Sequence, residues 1–498
     1  MISMPIVSLM ILVPLIGAVL TLFSKTKEQT RVIALVSSLT PLVGALYMIM
    51  NFDSSTPAMQ FVESFDWVPS LGILYKVGVD GIALPLVLLA AIVVPATIIY
   101  SWSEDKQPNQ FFALILALQG GVMGVFTSLD FFLFYIFWEL TLIPMYFLIS
   151  IWGGPRKDYA AIKFFIYTHV ASLVMLLGIF ALYFAAWAQT GVPSFDIPSL
   201  LEQFQFLENT VLRDSIFLAL LFGFLVKMPA VPFHTWLPDA HVEAPTAGSV
   251  LLAAVLLKMG GYGLFRVMLP MLPFTGSPKL MISILAFIGV LSILYGAMLA
   301  LAQTDLKKMV AYSSISHMGY VTLGAAALVP LSVSGAMFQQ FSHGLITCLL
   351  FMSCGSIQHI AGTRVIADLG GLAQKMPKLT VLMLFGFMAS LGLPGLSGFV
   401  AEFMILTFSY ITLPGFVLLA LLGIVVTAGY HLWAMQRSMF GVLNDKLGHL
   451  HDISNYETIS MGILALLVLY FGLNPSPVLD MMTTNAEHIV SLMALAGV

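Results

Sequence analysis

Ionisable side chains lie inside long apolar runs of this sequence, where they are suited to proton transfer. Glu139, Lys227, Lys258 and Glu402 each fall within such a run, and Lys163 falls near the start of another. An ionisable group at membrane depth costs from about 2.5 to more than 10 kcal/mol, so it is a candidate functional residue by default. Burial favours the neutral form of either residue type, whereas a nearby opposite charge favours the ionised form. A carboxylate that approaches or leaves a buried amine could therefore make that amine keep or release a proton.

Histidines and other polar residues extend this chemistry. They recur at helical spacing in two apolar runs, as Ser313, His317 and Tyr320 in one and as Gln339, His343 and Thr347 in the other. Imidazole changes charge near neutral pH, so His317 and His343 could relay protons, although polar contacts between packed helices are an alternative explanation. Four further histidines are more typical of structural contacts: His169, His234, His359 and His431.

The composition is that of a membrane protein. Of the 498 residues, 59% are apolar and only 9% are charged, against about 25% charged residues in soluble domains. The net charge of −4 provides no basic surface for nucleic acid. Cys348 and Cys354 do not have the spacing of metal ligands, and the chain contains neither a dinucleotide-binding glycine motif after a strand nor a phosphate-binding loop. Redox chemistry within this chain is therefore not expected.

Fourteen apolar runs are long enough to span a bilayer, which requires about 20 residues. They are residues 4–23, 31–50, 79–100, 111–128, 130–151, 162–188, 214–234, 245–265, 280–303, 309–329, 333–358, 379–409, 413–435 and 457–474. The sequence thus predicts an all-α membrane protein with about fourteen transmembrane helices. An even number of crossings would place both termini on the same side.

The distribution of lysine and arginine predicts which side that is. Loops after odd-numbered runs hold thirteen of these residues: Lys25, Lys27, Arg31, Lys106, Arg156, Lys157, Lys307, Lys308, Arg364, Lys375, Lys378, Arg437 and Lys446. The opposite side holds four: Lys76, Arg213, Arg266 and Lys279. Because cytoplasmic loops are enriched in these residues, both termini are expected on the outer side. Lys307 and Lys308 are interpreted as interfacial anchors, with Thr304 or Asp305 capping the helix that follows.

The runs also suggest an internal repeat. A three-helix segment (1–110) would precede two five-helix units (111–265 and 280–435), and one further helix (457–474) would follow them. Proline and glycine interrupt the fourth run of each unit, at 227–232 and at 393–398. Backbone groups freed by proline are tolerated in a bilayer only where they face protein or water. Because five crossings are an odd number, the two units are predicted to be inverted repeats, each with a broken helix near an ion path.

Several motifs together resemble the antiporter-like membrane subunits of complex I. They are F-W-E-L-T-L-I-P at 137–144, K-M-P-A-V-P-F-H-T-W-L-P-D-A-H-V-E-A-P-T at 227–246, D-L-K-K at 305–308, A-Y-S-S-I-S-H-M-G at 311–319, and L-P-G at 393–395 with Glu402. Their order and spacing extend over essentially the whole chain. The G-V-D-G-I motif at 78–82 is similar to the M-type (chain 4) subunit. The chain is too short for the lateral helix of the L-type, and Glu402 stands where the N-type normally has lysine.

This resemblance implies a role for each matched residue in a respiratory proton pump. Glu139 and Lys227 would form an ion pair, Lys258 would be the central proton site, His317 and His343 would relay protons, and Glu402 would be the terminal site toward the outside. Candidate accessory residues are Lys163, His234 and His241.

The resemblance also implies where the redox chemistry lies. No cofactor is expected in this chain, and flavin and iron–sulfur clusters are expected in partner subunits. The expected partners are other membrane subunits, including homologous antiporter-like subunits, together with a hydrophilic redox arm and the lipid bilayer.

Three other kinds of protein remain open at this point. A multi-subunit cation/proton antiporter and a membrane-bound hydrogenase share this core, and a purely structural scaffold is the alternative without transport. The sequence leaves open the electron donor (NADH, ferredoxin or a reduced deazaflavin), the electron acceptor and the direction of coupling. Because no transit peptide precedes the first apolar run, a prokaryotic cell membrane is the expected location.

Overall fold

The computed structural model describes residues 5–444, 447 and 450–495, and most of these residues are helical. The first helices are α1 (Ile6–Leu22), α2 (Lys27–Met50), α3 (Ala83–Tyr100), α4 (Pro108–Thr127), α5 (Phe131–Trp152), α6 (Lys157–Thr190) and α7 (Ile197–Phe204). They are followed by α8 (Thr210–Lys227), α9 (Trp236–Glu243), α10 (Thr246–Phe274), α11 (Pro278–Leu301) and α12 (Leu306–Ala326). The last are α13 (Pro330–Ala361), α14 (Pro377–Ser390), α15 (Ser397–Ser409), α16 (Pro414–Met439), α17 (Asn455–Leu473) and α18 (Ser476–Leu495).

Each predicted apolar run overlaps helical structure. Within the part of the chain that the structure describes, ten helices are long and apolar enough to cross a membrane, and α1, α14 and α15 are shorter apolar helices. The run 379–409 is divided between α14 and α15. Two residues used in the sequence analysis, Met4 of the first run and Lys446 of the loop count, lie outside the described residues.

The prediction of an all-α protein is wrong between α2 and α3, where the chain forms a β-hairpin. Strands β1 (Gln60–Val68) and β2 (Ile73–Val79) pair antiparallel, with Phe65 opposite Tyr75. The turn between them ends at Gly72, whose φ of +66° is favourable for glycine. Polar residues such as Glu63, Asp66 and Lys76 interrupt the apolar residues of both strands, so neither strand forms a long apolar run.

Both predicted helix breaks are present in the structure. The helix α8 ends at Lys227, and the chain passes through an irregular segment before α9 begins at Trp236. There the backbone N–H of Val231 donates to Ser292 Oγ at 3.0 Å, and the indole of Trp236 donates to the Val226 carbonyl at 3.0 Å. Polar backbone groups at this break are therefore paired inside the protein, as a low-dielectric environment requires.

The second break lies between α14 and α15. Gly392 and Gly395 have φ angles of +83° and +93°, a backbone region in which a side chain would be strained. The chain turns there and begins α15 at Ser397, whose hydroxyl accepts a hydrogen bond from Ser342 of α13 at 2.8 Å. This contact places the start of α15 against the middle of α13.

The helix α13 lies in the interior of the protein. Its residues from Ser332 to Ile357 are all buried, including the polar stripe Gln339, His343 and Thr347. The stripe of Ser313, His317 and Tyr320 on α12 is also buried. Both stripes therefore face protein, where they can contact each other and the broken helix.

Candidate proton-transfer site

Lys258 forms one end of a cluster of ionisable side chains in the protein interior. It lies in α10 between two π-helical segments, Leu252–Leu256 and Leu264–Met268. Its side chain is fully buried, and Nζ donates to the Ala253 carbonyl at 2.6 Å and lies 2.6 Å from His343 Nδ1. A π turn changes the regular α-helical hydrogen-bond pattern, and such turns are frequent at functional sites. Lys258 and His343 are thus in direct hydrogen-bond contact.

The cluster continues from His343 to a second histidine and an acid. The rings of His343 and His317 are 5.5 Å apart between centroids. His317 Nδ1 lies 2.8 Å from Glu402 Oε1, and its Nε2 lies 3.0 Å from Ser390 Oγ. Glu402 is only 7% exposed. Lys258, His343, His317 and Glu402 therefore form a buried row across α10, α13, α12 and α15, which we call the central row.

The helix break places Glu402 at the end of this row. Ser390 is the last residue of α14, and Glu402 lies in the second turn of α15, so both sides of the break contribute a partner to His317. A cavity of about 440 Å³ lies beside Glu402 and is lined by residues that include Gly392, Phe399 and Thr407. The carboxyl group therefore lies between the buried row and an open cavity whose lining is mostly apolar, including Leu391, Phe403 and Leu421.

The predicted ion pair between Glu139 and Lys227 is absent from the salt bridges of the described residues. Glu139 of α5 instead contacts two residues of α6: His169 Nδ1 lies 2.9 Å from Oε2, and the hydroxyl of Ser172 donates to Oε1. Lys227 Nζ lies 5.4 Å from the ring centre of Trp138. No functional role for His169 was predicted, because a single histidine on an apolar helix does not reveal which residue it contacts.

The three candidate accessory residues have different surroundings. Lys163 forms a salt bridge of 2.7 Å with Asp239. His234 is 6% exposed, and its ring lies 5.5 Å from that of Tyr295. His241 is fully buried, and its ring stacks on Phe351 at 4.6 Å between centroids. Among the described residues, neither ring nitrogen of His241 has a protein partner, and Nδ1 of His234 has none either.

Lys307 is not an interfacial anchor, contrary to the sequence interpretation. Only 2% of it is exposed, and Nζ donates to the Ala244 carbonyl at 2.6 Å. Lys307 lines a polar cavity of about 440 Å³ together with Glu243 and Arg364. The neighbouring cap is as predicted, since Asp305 accepts a hydrogen bond from the backbone N–H of Lys308 at 2.9 Å. Lys307 was misplaced because apolar runs locate a membrane boundary only to within a few residues.

Arg266 is also buried, although the sequence analysis counted it among loop residues. It is 7% exposed and donates to both carboxylate oxygens of Asp80, at 2.7 Å for Oδ2. Asp80 accepts a further hydrogen bond from Asn485 of α18 at 2.8 Å. This contact joins the segment just before α3 to α10 and α18, and it lies apart from the central row.

The fold is that of a family of transmembrane subunits. The family model described as NADH:quinone oxidoreductase/Mrp antiporter, TM, matches residues 128–427, and the chain belongs to this family. It is similar to F420H2 dehydrogenase subunit M of Methanosarcina mazei, with 64% identity over 496 residues that cover 99% of this chain and 100% of that protein. It is also similar to NADH-quinone oxidoreductase subunit M of Rickettsia conorii, with 40% identity over 98% of this chain and 99% of that protein.

Solved structures agree with this assignment. A chain of respiratory complex I from Thermus thermophilus superposes with a TM-score of 0.86 and 29% identity, covering 98% of this chain and 99% of that chain. A chain of the Mrp complex from Dietzia has a TM-score of 0.87 over 100% of this chain and 99% of that chain, and its 18% identity shows only the shared fold. The resemblance to the M-type subunits of complex I-like dehydrogenases is therefore confirmed.

Proposed function

We propose that this chain is the proton-translocating M-type subunit of a dehydrogenase complex that oxidises reduced coenzyme F420. The observation that carries the proposal is the central row. In it a lysine, two histidines and a glutamate lie one after another in space inside the protein. Ionisable groups are retained at such depth mainly in ion and proton paths. The similarity to the F420H2 dehydrogenase subunit of Methanosarcina mazei supports the choice of electron donor.

The geometry suggests how a proton moves along the central row. Charged Lys258 donates its proton to His343 Nδ1 along the 2.6 Å contact, leaving a neutral amine and an imidazolium. That imidazolium then gives up its Nε2 proton toward His317, with water bridging the rings where they do not touch. His317 passes a proton from Nδ1 to Glu402 across 2.8 Å. Each histidine takes up a proton at one ring nitrogen and loses one from the other, so its tautomer must be reset, by ring rotation or by proton exchange with water, before the next proton passes.

The ends of the row suggest the direction of transfer. Lys307 lines a polar cavity on the side that the lysine and arginine distribution assigns to the cytoplasm. Neither ring nitrogen of His241 has a protein partner among the described residues, and the charges of Lys307 and Lys258 both act on this histidine. Protons would enter through this cavity, pass His241 to Lys258, and leave from Glu402 toward the outer side. Lys163 and His234 would be accessory residues at the broken helix α8.

The proposed arrangement in the membrane follows from the helices. Fourteen crossings result if α8 with the break before α9, and α14 with α15, each count as one. The units 111–265 and 280–435 would then be inverted repeats, with each break facing the central row. Both termini would lie on the outer side of a prokaryotic cell membrane. A protease-accessible tag at the N-terminus, cleaved from outside in intact spheroplasts, would test the orientation.

Partner subunits would supply the redox reaction. Flavin and iron–sulfur clusters are expected in a hydrophilic arm, and homologous antiporter-like subunits are expected beside this chain in the membrane. Glu139 and Lys227 would couple the partners to the central row, because separation of this acid from Lys227 favours release of the lysine proton. Energy from electron transfer would thus reach this chain as a change in the position or charge of Glu139 and Lys227.

Inverted membrane vesicles containing the complex would test the proposal. Reduced F420 and a membrane-permeable electron acceptor should acidify the vesicle interior, and Lys258→Met should greatly reduce this acidification while assembly of the complex is retained. A sodium gradient without an electron donor should have no effect on internal pH. Sodium/proton exchange without a donor would instead assign the chain to a cation/proton antiporter. Unchanged acidification by the Lys258→Met complex would favour a structural scaffold.

A further inference from the structure

The surroundings of Glu139 include a histidine that the matched motifs do not contain. His169 Nδ1 lies 2.9 Å from Glu139 Oε2, and Ser172 donates to Oε1. His169 and Ser172 are three residues apart on α6, so they face the same side of that helix. Because an ionised carboxylate can only accept hydrogen bonds, His169 carries a proton on Nδ1 when Glu139 is charged. Both oxygens of Glu139 are thus engaged by α6.

Lys227 is close to Glu139 but is not bonded to it. Its Nζ lies 5.4 Å from the ring centre of Trp138 and 6.0 Å from that of Phe164. Trp138 immediately precedes Glu139 on α5, and the charge of Glu139 acts electrostatically on Lys227. Lys227 is 2% exposed. Lys227 and Glu139 are therefore near enough to interact electrostatically although they make no direct contact.

The contact between Glu139 and His169 lies at the edge of the chain. Their side chains are 23% and 36% exposed, whereas Ile143 and Ile166 around them are more than half exposed. A carboxylate at this position would face hydrocarbon if no hydrogen-bond donor accompanied it, which is costly. The paired donors of α6 make the outward position of Glu139 stable. The alternative position, toward Lys227, is stabilised by opposite charge.

We propose that His169 is a positioning residue that holds Glu139 away from Lys227 and so sets how often the two charges meet. The proposal rests on the proposed proton-translocating function. In the outward position Glu139 is bonded to His169 and Ser172, and Lys227 can release its proton. In the inward position Glu139 pairs with Lys227, which keeps its proton. The α6 residues and Lys227 compete for Glu139, so the cluster has two stable arrangements. Two such arrangements are needed if a movement is to be converted into proton release.

Removal of His169 should therefore shift Glu139 inward. Loss of one charge-assisted hydrogen bond changes such a population by on the order of tenfold. His169→Leu keeps the size and apolar surroundings but removes the donor. His169→Asn keeps a donor near the position of Nδ1. We expect His169→Leu to lower the number of protons moved per electron pair, and we expect His169→Asn to restore most of the loss.

Two quantities can be measured on the assembled complex in proteoliposomes, with reduced F420 as the electron donor. They are the number of protons moved per electron pair and the infrared band of Glu139. Val170→Leu is the matched control, because Val170 is 51% exposed and adjoins His169 on α6. The infrared carboxyl band that disappears in Glu139→Gln reports the contact itself. This band should shift in His169→Leu, recover in His169→Asn and stay unchanged in Val170→Leu. A general structural defect would not produce that pattern.

The outcomes separate this inference from the proposed function. If the native complex moves no protons, the proposed function fails. If the native complex pumps and His169→Leu pumps equally well, or leaves the Glu139 band unchanged, His169 does not position Glu139. Should His169→Leu prevent assembly, Ser172→Ala removes the other hydrogen bond to the same carboxylate. Normal pumping and an unchanged band in Ser172→Ala would then overturn the proposal.

Discussion

Replacement of Asp80 by asparagine should weaken the attachment of the C-terminal helix to the rest of the protein. Asp80 is fully buried and accepts hydrogen bonds from Arg266, Asn485 and the backbone N–H of Ile82. Asparagine keeps the shape of the side chain but removes the charge, so Arg266 remains buried without a counter-ion. Because Asn485 lies on α18, the loss of this network should be felt most strongly in that helix.

The expected size of the effect follows from the burial of the pair. Breaking a buried ion pair by removing one partner costs about 3–5 kcal/mol. At about 1.4 kcal/mol per factor of ten, the locally opened state becomes roughly 10²- to 10⁴-fold more populated. The polar amide of asparagine retains part of the hydrogen bonding, so the lower end of this range is expected.

Hydrogen exchange of the detergent-solubilised complex, followed by mass spectrometry, would measure this opening. Amides of α18 should exchange faster in Asp80→Asn, whereas those of the buried helix α13 should be little changed. Asp105→Asn is the control: Asp105 is exposed, and Lys27 beside it holds the pKa of that carboxyl below its usual value. An exposed ion pair contributes little, so Asp105→Asn should leave α18 unaffected.

A second variant would test whether the unpaired charge is the cause. Adding Arg266→Met to Asp80→Asn removes the buried cation, and much of the lost protection should return, since an apolar replacement of a buried pair is often nearly neutral. Native exchange rates in Asp80→Asn alone would refute the reasoning. Faster exchange of the α18 amides in the double variant than in Asp80→Asn would also refute the reasoning.

Two further predictions concern packing and access in the interior. Gly319→Ala on α12 should lower the stability of the complex by about 1–3 kcal/mol, because the new Cβ would lie 2.7 Å from the Gly289 carbonyl oxygen. Gly462→Ala is the control and should not lower it, because no atom lies within 4 Å of the position of its Cβ. Equal melting midpoints for the two variants would contradict this. Cys348 and Cys354 are fully buried, so a membrane-permeable maleimide should label them only after denaturation. Rapid labelling of the native complex would show that water reaches the central row more freely than the packing indicates.

Much of the candidate site could be predicted from sequence because membrane depth restricts the choices. His317 and His343 stood out as polar residues at helical spacing, and Glu402 and Lys258 as ionisable residues within apolar runs. The structure brings all four together. The helix breaks could also be located, because proline and glycine have local effects on the backbone. Local signals of this kind do not depend on how the helices are rotated against each other.

Features that depend on how a helix is rotated about its axis, or on the exact position of its ends, could not be predicted from sequence. Which residue contacts Glu139 depends on how α5 faces α6, and no pattern within either helix specifies His169. The burial of Lys307 and Arg266 required the true position of helix ends, which apolar runs give only approximately. The hairpin of β1 and β2 was missed because its alternating residues form no long apolar run. The π turns around Lys258 have no compositional signature, since their residues also suit an ordinary α-helix.

The measurement that tests the account most directly is proton movement per electron pair by the Lys258→Met complex in proteoliposomes. Methionine fills the space of the lysine side chain but cannot carry a proton, so it interrupts the central row next to His343. The account predicts an assembled complex that transfers electrons from reduced F420 and moves substantially fewer protons per pair than the native complex. A Lys258→Met complex with the native ratio would contradict the claim that protons cross this chain along the central row.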